Sequence, residues 1–192
     1  AYGEQKFFFE FFDPLYDAAV NCAGAGRYQE DNRLLAWRAD LMDELGLEES
    51  DRRRVQNRIG VASNLLHLGE TDEAEQYLRE AETHCRQQGW KRELARVLHT
   101  EALKYGEEGD SDTAIDLLQE AATLGEEAGN ERGRWEAEAT AGWVLLQDGD
   151  EEAAQRKLRE ACDATLSRMR SATSVAMSSG ASLSTTRNSS PP

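Results

Sequence analysis

Three glycines, Gly69, Gly109 and Gly149, stand forty residues apart, and no other feature of the chain limits its possible folds so strongly. Shifting the sequence by that period brings other columns into line. Ala74, Ala114 and Ala154 coincide, as do Leu78, Leu118 and Leu158. Glu80, Glu120 and Glu160 follow, then Ala81, Ala121 and Ala161. Asp72, Asp112 and Glu152 keep an acid at the start of the segment, and Gly89 and Gly129 close it. Ala62, Ala102 and Gly142 keep a small residue earlier in the unit. A chain written this way copies one supersecondary unit, and each copy buries its apolar face against the next.

Inside one unit the spacing is helical. Ala74, Leu78, Ala81 and Cys85 fall on one stripe, and Val55, Ile59, Ala62 and Leu66 fall on another just upstream. Gly69-Glu70 separates the two, so the unit reads as helix A, tight turn, helix B. Thr71 or Asp72 is expected to supply the N-cap oxygen of helix B, and Gly89 its left-handed C-terminal residue. The N-terminal part reads as a degenerate copy. Asp13 to Ala23 forms its helix A, with Leu15, Ala19 and Cys22 inward and Pro14 in the first turn, where proline is tolerated. Gly24-Ala25-Gly26 turns the chain, and Arg27 to Leu45 forms helix B. The resulting division is residues 1–48 as a degenerate hairpin or cap, 49–170 as three forty-residue repeats, and 171–192 as a tail. That tail holds eight Ser, no acid and no apolar stripe, so it is expected to be disordered and dispensable for folding.

Composition narrows the function. Among 192 residues, 37 acids face 22 Lys and Arg, for a net charge of -15. Nucleic-acid binding needs clustered cations, so this balance argues against it. No apolar run approaches the ~18–20 residues of a membrane span. Lys6, Lys91, Lys104 and Lys157 are the only lysines, and the acidic, lysine-poor surface resembles that of proteins from salt-loving or high-GC microbes. Such a surface repels itself when unscreened. Thermal stability is therefore expected to rise from low salt into molar KCl; a flat response in a melting series would rule this out. Cys22, Cys85 and Cys162 are odd in number and widely spaced, which reads as three small buried hydrophobes in a reducing cytoplasm. The five phenylalanines all lie between Phe7 and Phe12. With Ala1 in place of a Met, this cluster gives the expectation of a piece of a longer protein, whose end packs on a preceding element or on another copy.

Signs of catalysis are missing. There is no P-loop, GxSxG, GxGxxG or HExxH pattern, and Gly24-Ala25-Gly26 follows no strand. His67, His84 and His99 are too few and too scattered for a metal motif. No metal, cofactor or catalytic residue is expected, and the chain does not read as an enzyme.

The repeat resembles the tetratricopeptide (TPR) repeat. The carrying residues are Ala62, Gly69, Ala74, Leu78 and Ala81, then Ala102, Gly109, Ala114, Leu118 and Ala121, then Gly142, Gly149, Ala154, Leu158 and Ala161. The usual TPR unit is ~34 residues, so forty implies longer helices. The resemblance covers about residues 12–169. It departs from the pattern at the early Trp of helix A, replaced by Arg58, Leu98 and Glu138, and at the first helix B Ala, replaced by Asp31. It implies an all-α fold, an α-α superhelix or right-handed solenoid of about four helix-turn-helix hairpins, with the A helices lining a concave groove. By the family's pattern, Gln56, Ile59, Ser63 and His67 line that groove in one unit, Arg96, His99, Leu103 and Glu107 in the next, and Glu136, Trp143 and Gln147 in the last. The clamp that holds a peptide carboxylate in some members is absent, since Ile59 and Ser63 occupy its positions.

Two functions follow from the resemblance. One is a cytoplasmic, non-catalytic scaffold that binds a protein or peptide in its groove, with a basic amphipathic segment suiting the acidic surround. The other is a C-terminal sensor or oligomerisation arm of a larger signalling ATPase or transcription regulator.

Overall fold

The structure is a computed structural model that describes residues 14–49, 51–162 and 166. Among them are helices and turns and no strand. The helices are α1 (14–24), α2 (Tyr28–Glu44), α3 (Arg52–Leu68), α4 (Thr71–Gln88), α5 (Lys91–Glu108), α6 (Ser111–Glu127), α7 (Glu131–Gln147) and α8 (151–162). They pair into four hairpins, α1–α2 to α7–α8, as the repeat predicts. None is long and apolar enough to cross a membrane among the described residues. The phenylalanine cluster at Phe7–Phe12 and the 171–192 tail lie outside the described residues.

The periodic glycines are turns. Gly69, Gly109 and Gly149 have φ of 79, 81 and 85° and join the two helices of a hairpin. Gly89 and Gly129, at 67 and 65°, join successive hairpins. A side chain at these angles is strained, so glycine ends each helix at no steric cost. One capping expectation fails. The N-cap of α4 is Glu70, whose side chain makes no capping bond, not Thr71 or Asp72. Helix α4 starts one residue earlier than expected and places Asp72 and Glu73 in its first turn, where the helix dipole favours them. Asp51, Asp110 and Asn130 do cap α3, α6 and α7, accepting from the backbone N–H groups of Arg53, Thr113 and Gly133.

The repeated columns form a continuous core. Ala62, Ala74, Ala81, Ala102, Ala114 and Ala121 are buried, and their small size lets the helices of a hairpin approach closely. Leu78 and Leu118 are each 1% exposed, whereas Leu158 is 39% exposed. Cys22 and Cys85 are buried as expected; Cys162 is exposed and free, which corrects the reading of all three as core. Both exceptions have one cause: they belong to the last hairpin, and no further described hairpin stacks on it.

Helix α5 packs directly against α3 and against α7, while the B helices α4 and α6 do not meet in a comparable way. The B helices reach each other through long side chains, as where Arg86 of α4 pairs with Glu120 of α6 at 3.2 Å. A stack held closer on one side than the other curves, with the A helices on the inside.

Candidate functional site

The inner face of this stack holds a cavity of about 220 Å³. All four A helices contribute to it: Tyr16 from α1, Ser63 from α3, Arg96 and His99 from α5, and Glu136 from α7. Helix α2 adds Asp31. Side chains from four separate repeats of the sequence thus meet in one place, because successive A helices lie side by side.

Arg96 crosses the cavity. Its Nη2 donates to Tyr16 Oη at 2.8 Å, tying the third hairpin to the first. Next to it, His99 Nε2 lies 2.9 Å from Thr140 Oγ1. The Thr140 hydroxyl gives its single proton to the Glu136 carbonyl, also at 2.9 Å, so it accepts from His99, and Nε2 carries the hydrogen. Burial holds His99 below its usual pKa; Glu136 pulls it up and Arg96 adds to the lowering. The imidazole is therefore neutral at pH 7, a fixed donor to Thr140 rather than a third charge.

Asp31 marks the first hairpin's departure from the repeat. It stands in the column that Ala74, Ala114 and Ala154 fill elsewhere, and it is 4% exposed. Burial raises its pKa, a hydrogen bond with Asn64 lowers it, and burial prevails. Asn64 in turn donates through Nδ2 to Asn32 Oδ1 at 2.8 Å. Asp31 Oδ1 has no hydrogen-bond partner. A single carboxylate in an alanine column was the one signal by which the sequence could have marked this wall.

Of the residues assigned to the groove from sequence, Ile59, Ser63, Arg96, His99 and Glu136 line this cavity. Gln56, His67, Leu103, Glu107, Trp143 and Gln147 do not. His67 is exposed at the end of α3, where it stacks on Tyr28 at 4.5 Å. Trp143 is 42% exposed on the last hairpin. The sequence missed Tyr16, Asp31, Asn64 and Asn130. Tyr16 lies 80 residues from Arg96, which is two repeat periods, but the degenerate first copy kept the groove columns from being extended to it. Among the described residues no group of three or more His, Cys, Asp or Glu side chains could hold a metal ion.

No family model matches the chain, and no curated protein matches it. Solved structures do share its fold. One is a crystal structure, of a single-substitution form, of nearly identical TPR-like repeats of a candidate kinesin light chain from Podosopora anserina, with a TM-score of 0.60 at 15% identity over 81% of this chain and 74% of that one. Another crystal structure of such repeats from that protein gives 0.58 at 15% identity over 92% and 97%. BtubC (BKLC) from P. vanneervenii gives 0.61 at 17% identity over 94% and 67%. At such identities the likeness concerns the fold, which is that of a TPR-like helical solenoid.

Proposed function

Given a TPR-like solenoid with a cavity of mixed polar and apolar lining on its inner face, we propose that the chain is a non-catalytic scaffold that holds a protein segment along its A helices. The observation that carries this reading is the cavity itself, to which α1, α3, α5 and α7 all contribute. Its volume of about 220 Å³ falls below the ~300–1,000 Å³ of small-molecule sites, so it suits one inserted side chain rather than a substrate or cofactor. The walls offer hydrogen-bonding groups on Ser63, Asn64 and Asn130, the charges of Arg96 and Glu136, and an apolar floor at Ile59 and Ala95. An extended or helical segment meets those requirements, its side chain seated in the cavity and its flanks against the neighbouring helices. With a net charge of -15, the body favours a segment with Lys or Arg outside the cavity and speeds its approach at low salt.

The test is selection of peptides from a random displayed library on the immobilised chain, followed by affinity measurement. Arg96→Glu and Glu136→Lys are expected to weaken the selected peptides by about tenfold or more each, with the helical circular-dichroism signal unchanged. Peptides that bind both variants as tightly as the parent chain would remove the cavity as the site.

A further inference from the structure

Asp31 stands where Ala74, Ala114 and Ala154 stand in the other hairpins, and it is buried like them: 4% exposed against 0%, 0% and 1%. The chain thus carries an ionisable group at a position that elsewhere needs only a methyl. Burying such a group is unfavourable unless a partner offsets the lost hydration. Other buried charges have that partner. Glu93 is 3% exposed with Arg52 Nε at 3.5 Å, Lys104 pairs with Glu75, and Arg134 pairs with Glu138. Among the described residues Asp31 has no such pair, and its Oδ1 receives no hydrogen bond. Burial and the hydrogen bond with Asn64 act on its titration; no cation does.

This carboxyl belongs to the wall of the inner cavity. Ser63 and Asn64, whose side-chain oxygens can accept hydrogen bonds, line the same cavity, and Val20, Ala23 and Ile59 add apolar surface to it. The terminal torsion of an Asp side chain is soft, so either oxygen can turn toward the opening. Arg96, the cation of this lining, gives its Nη2 to Tyr16 Oη at 2.8 Å and does not act on Asp31. A cavity built in this way lacks a positive charge at Asp31 and offers hydrocarbon to whatever brings one.

We propose that the side chain seated in the cavity is a lysine of the bound segment, with its ammonium on the Asp31 carboxylate. This rests on the reading of the cavity as the seat of one side chain from a protein segment. A lysine meets the requirements of the wall. Its unbranched stem packs on Val20, Ala23 and Ile59, and its compact head brings three donors for Asp31, Ser63 and Asn64. Arginine suits the wall less, because its planar fork calls for two parallel acceptor oxygens and Asn64 already engages the Asp31 carboxyl. A neutral hydroxyl or amide would bond to the carboxylate and leave its charge unopposed. Burial holds the carboxyl above the usual range in the chain by itself, and an ammonium beside it favours the ionised form again.

The probes are peptides selected on the full chain from the displayed library and weakened by Arg96→Glu or Glu136→Lys. They are expected to share one lysine. Replacing it with norleucine, which keeps the stem and removes the ammonium, is expected to weaken binding by about tenfold or more. Asp31→Ala restores the residue of the column. It is expected to bind the lysine and norleucine forms equally, both as weakly as the parent chain binds norleucine, and to raise the melting temperature of the free chain. Asp31→Asn, nearly the same shape, is expected to give the same equal binding and serves if the smaller residue disturbs the hairpin. A melting temperature lowered by both substitutions would mean that the carboxyl already has its counterpart in the fold, and overturns the proposal. Cavity-dependent peptides with no shared lysine, or whose norleucine loss persists in both Asp31 variants, overturn it as well and leave the scaffold reading standing. Peptides indifferent to both Arg96→Glu and Glu136→Lys remove the cavity as the site, and this proposal with it.

Discussion

Leu118→Ala is expected to lower stability by about 2–5 kcal/mol, and Leu158→Ala, the same column one unit later, by under about 1.5 kcal/mol. The difference lies in the neighbours. Leu118 is 1% exposed on α6, which packs against both α5 and α7, so removing its side chain leaves a cavity. Leu158 is 39% exposed and lies over Gly142 on one side only, so solvent fills what the substitution vacates. Glu120→Ala provides the polar control in the same repeat. Glu120 pairs with Arg86, but both side chains are nearly half exposed, and an exposed pair contributes under about 1 kcal/mol. Chemical denaturation of the three variants measures all of this. Equal losses from Leu118→Ala and Glu120→Ala would mean that the buried face has been misassigned.

A second large effect depends on pH. Glu101 of α5 lies against α4, and burial pushes its pKa from 4.5 to about 7, with repulsion from Glu82 and Glu75 adding to the rise and Lys104 and Arg86 opposing it. A carboxyl raised on folding binds its proton more tightly in the folded chain than in the unfolded one. Its effect on stability is nil below pH 4.5, grows increasingly unfavourable between 4.5 and 7, and is constant above 7. Glu101→Gln removes that penalty. The variant is expected to match the parent near pH 4 and to exceed it at pH 8 by about 2–3 kcal/mol. Denaturant midpoints at the two pH values check the sign. A variant that gains nothing at pH 8 would show that Glu101 ionises freely in the fold.

Much of the architecture was legible because a repeat announces itself twice, in the stripe within each helix and in the column across units. The stripe through Ala74, Leu78, Ala81 and Cys85 identified a helix and its buried side. The column of Gly69, Gly109 and Gly149 placed the turns. Periodicity does not say whether a column has a neighbour, so Leu158 and Cys162 read as core and are exposed. Nor does it report contacts between distant units. Arg96 was placed on the inner face by its column, but its bond to Tyr16 depends on how far the stack curves. Asp31 looked like a defect of the repeat and is a buried wall of the cavity.

The unequal spacing of the two helix layers has a mechanical meaning. A stack joined along its inner edge and open along its outer edge behaves as a strip hinged at every hairpin, easier to bend than to stretch. A small change of angle at each junction adds up along the strip, so the first and last hairpins move much farther than any two neighbours. The Arg96 to Tyr16 bond spans the early junctions, and the cavity beside it reaches from the first hairpin to the last. A segment bound there as proposed is expected to bias the curvature of the whole strip, and through it the distance between its two ends.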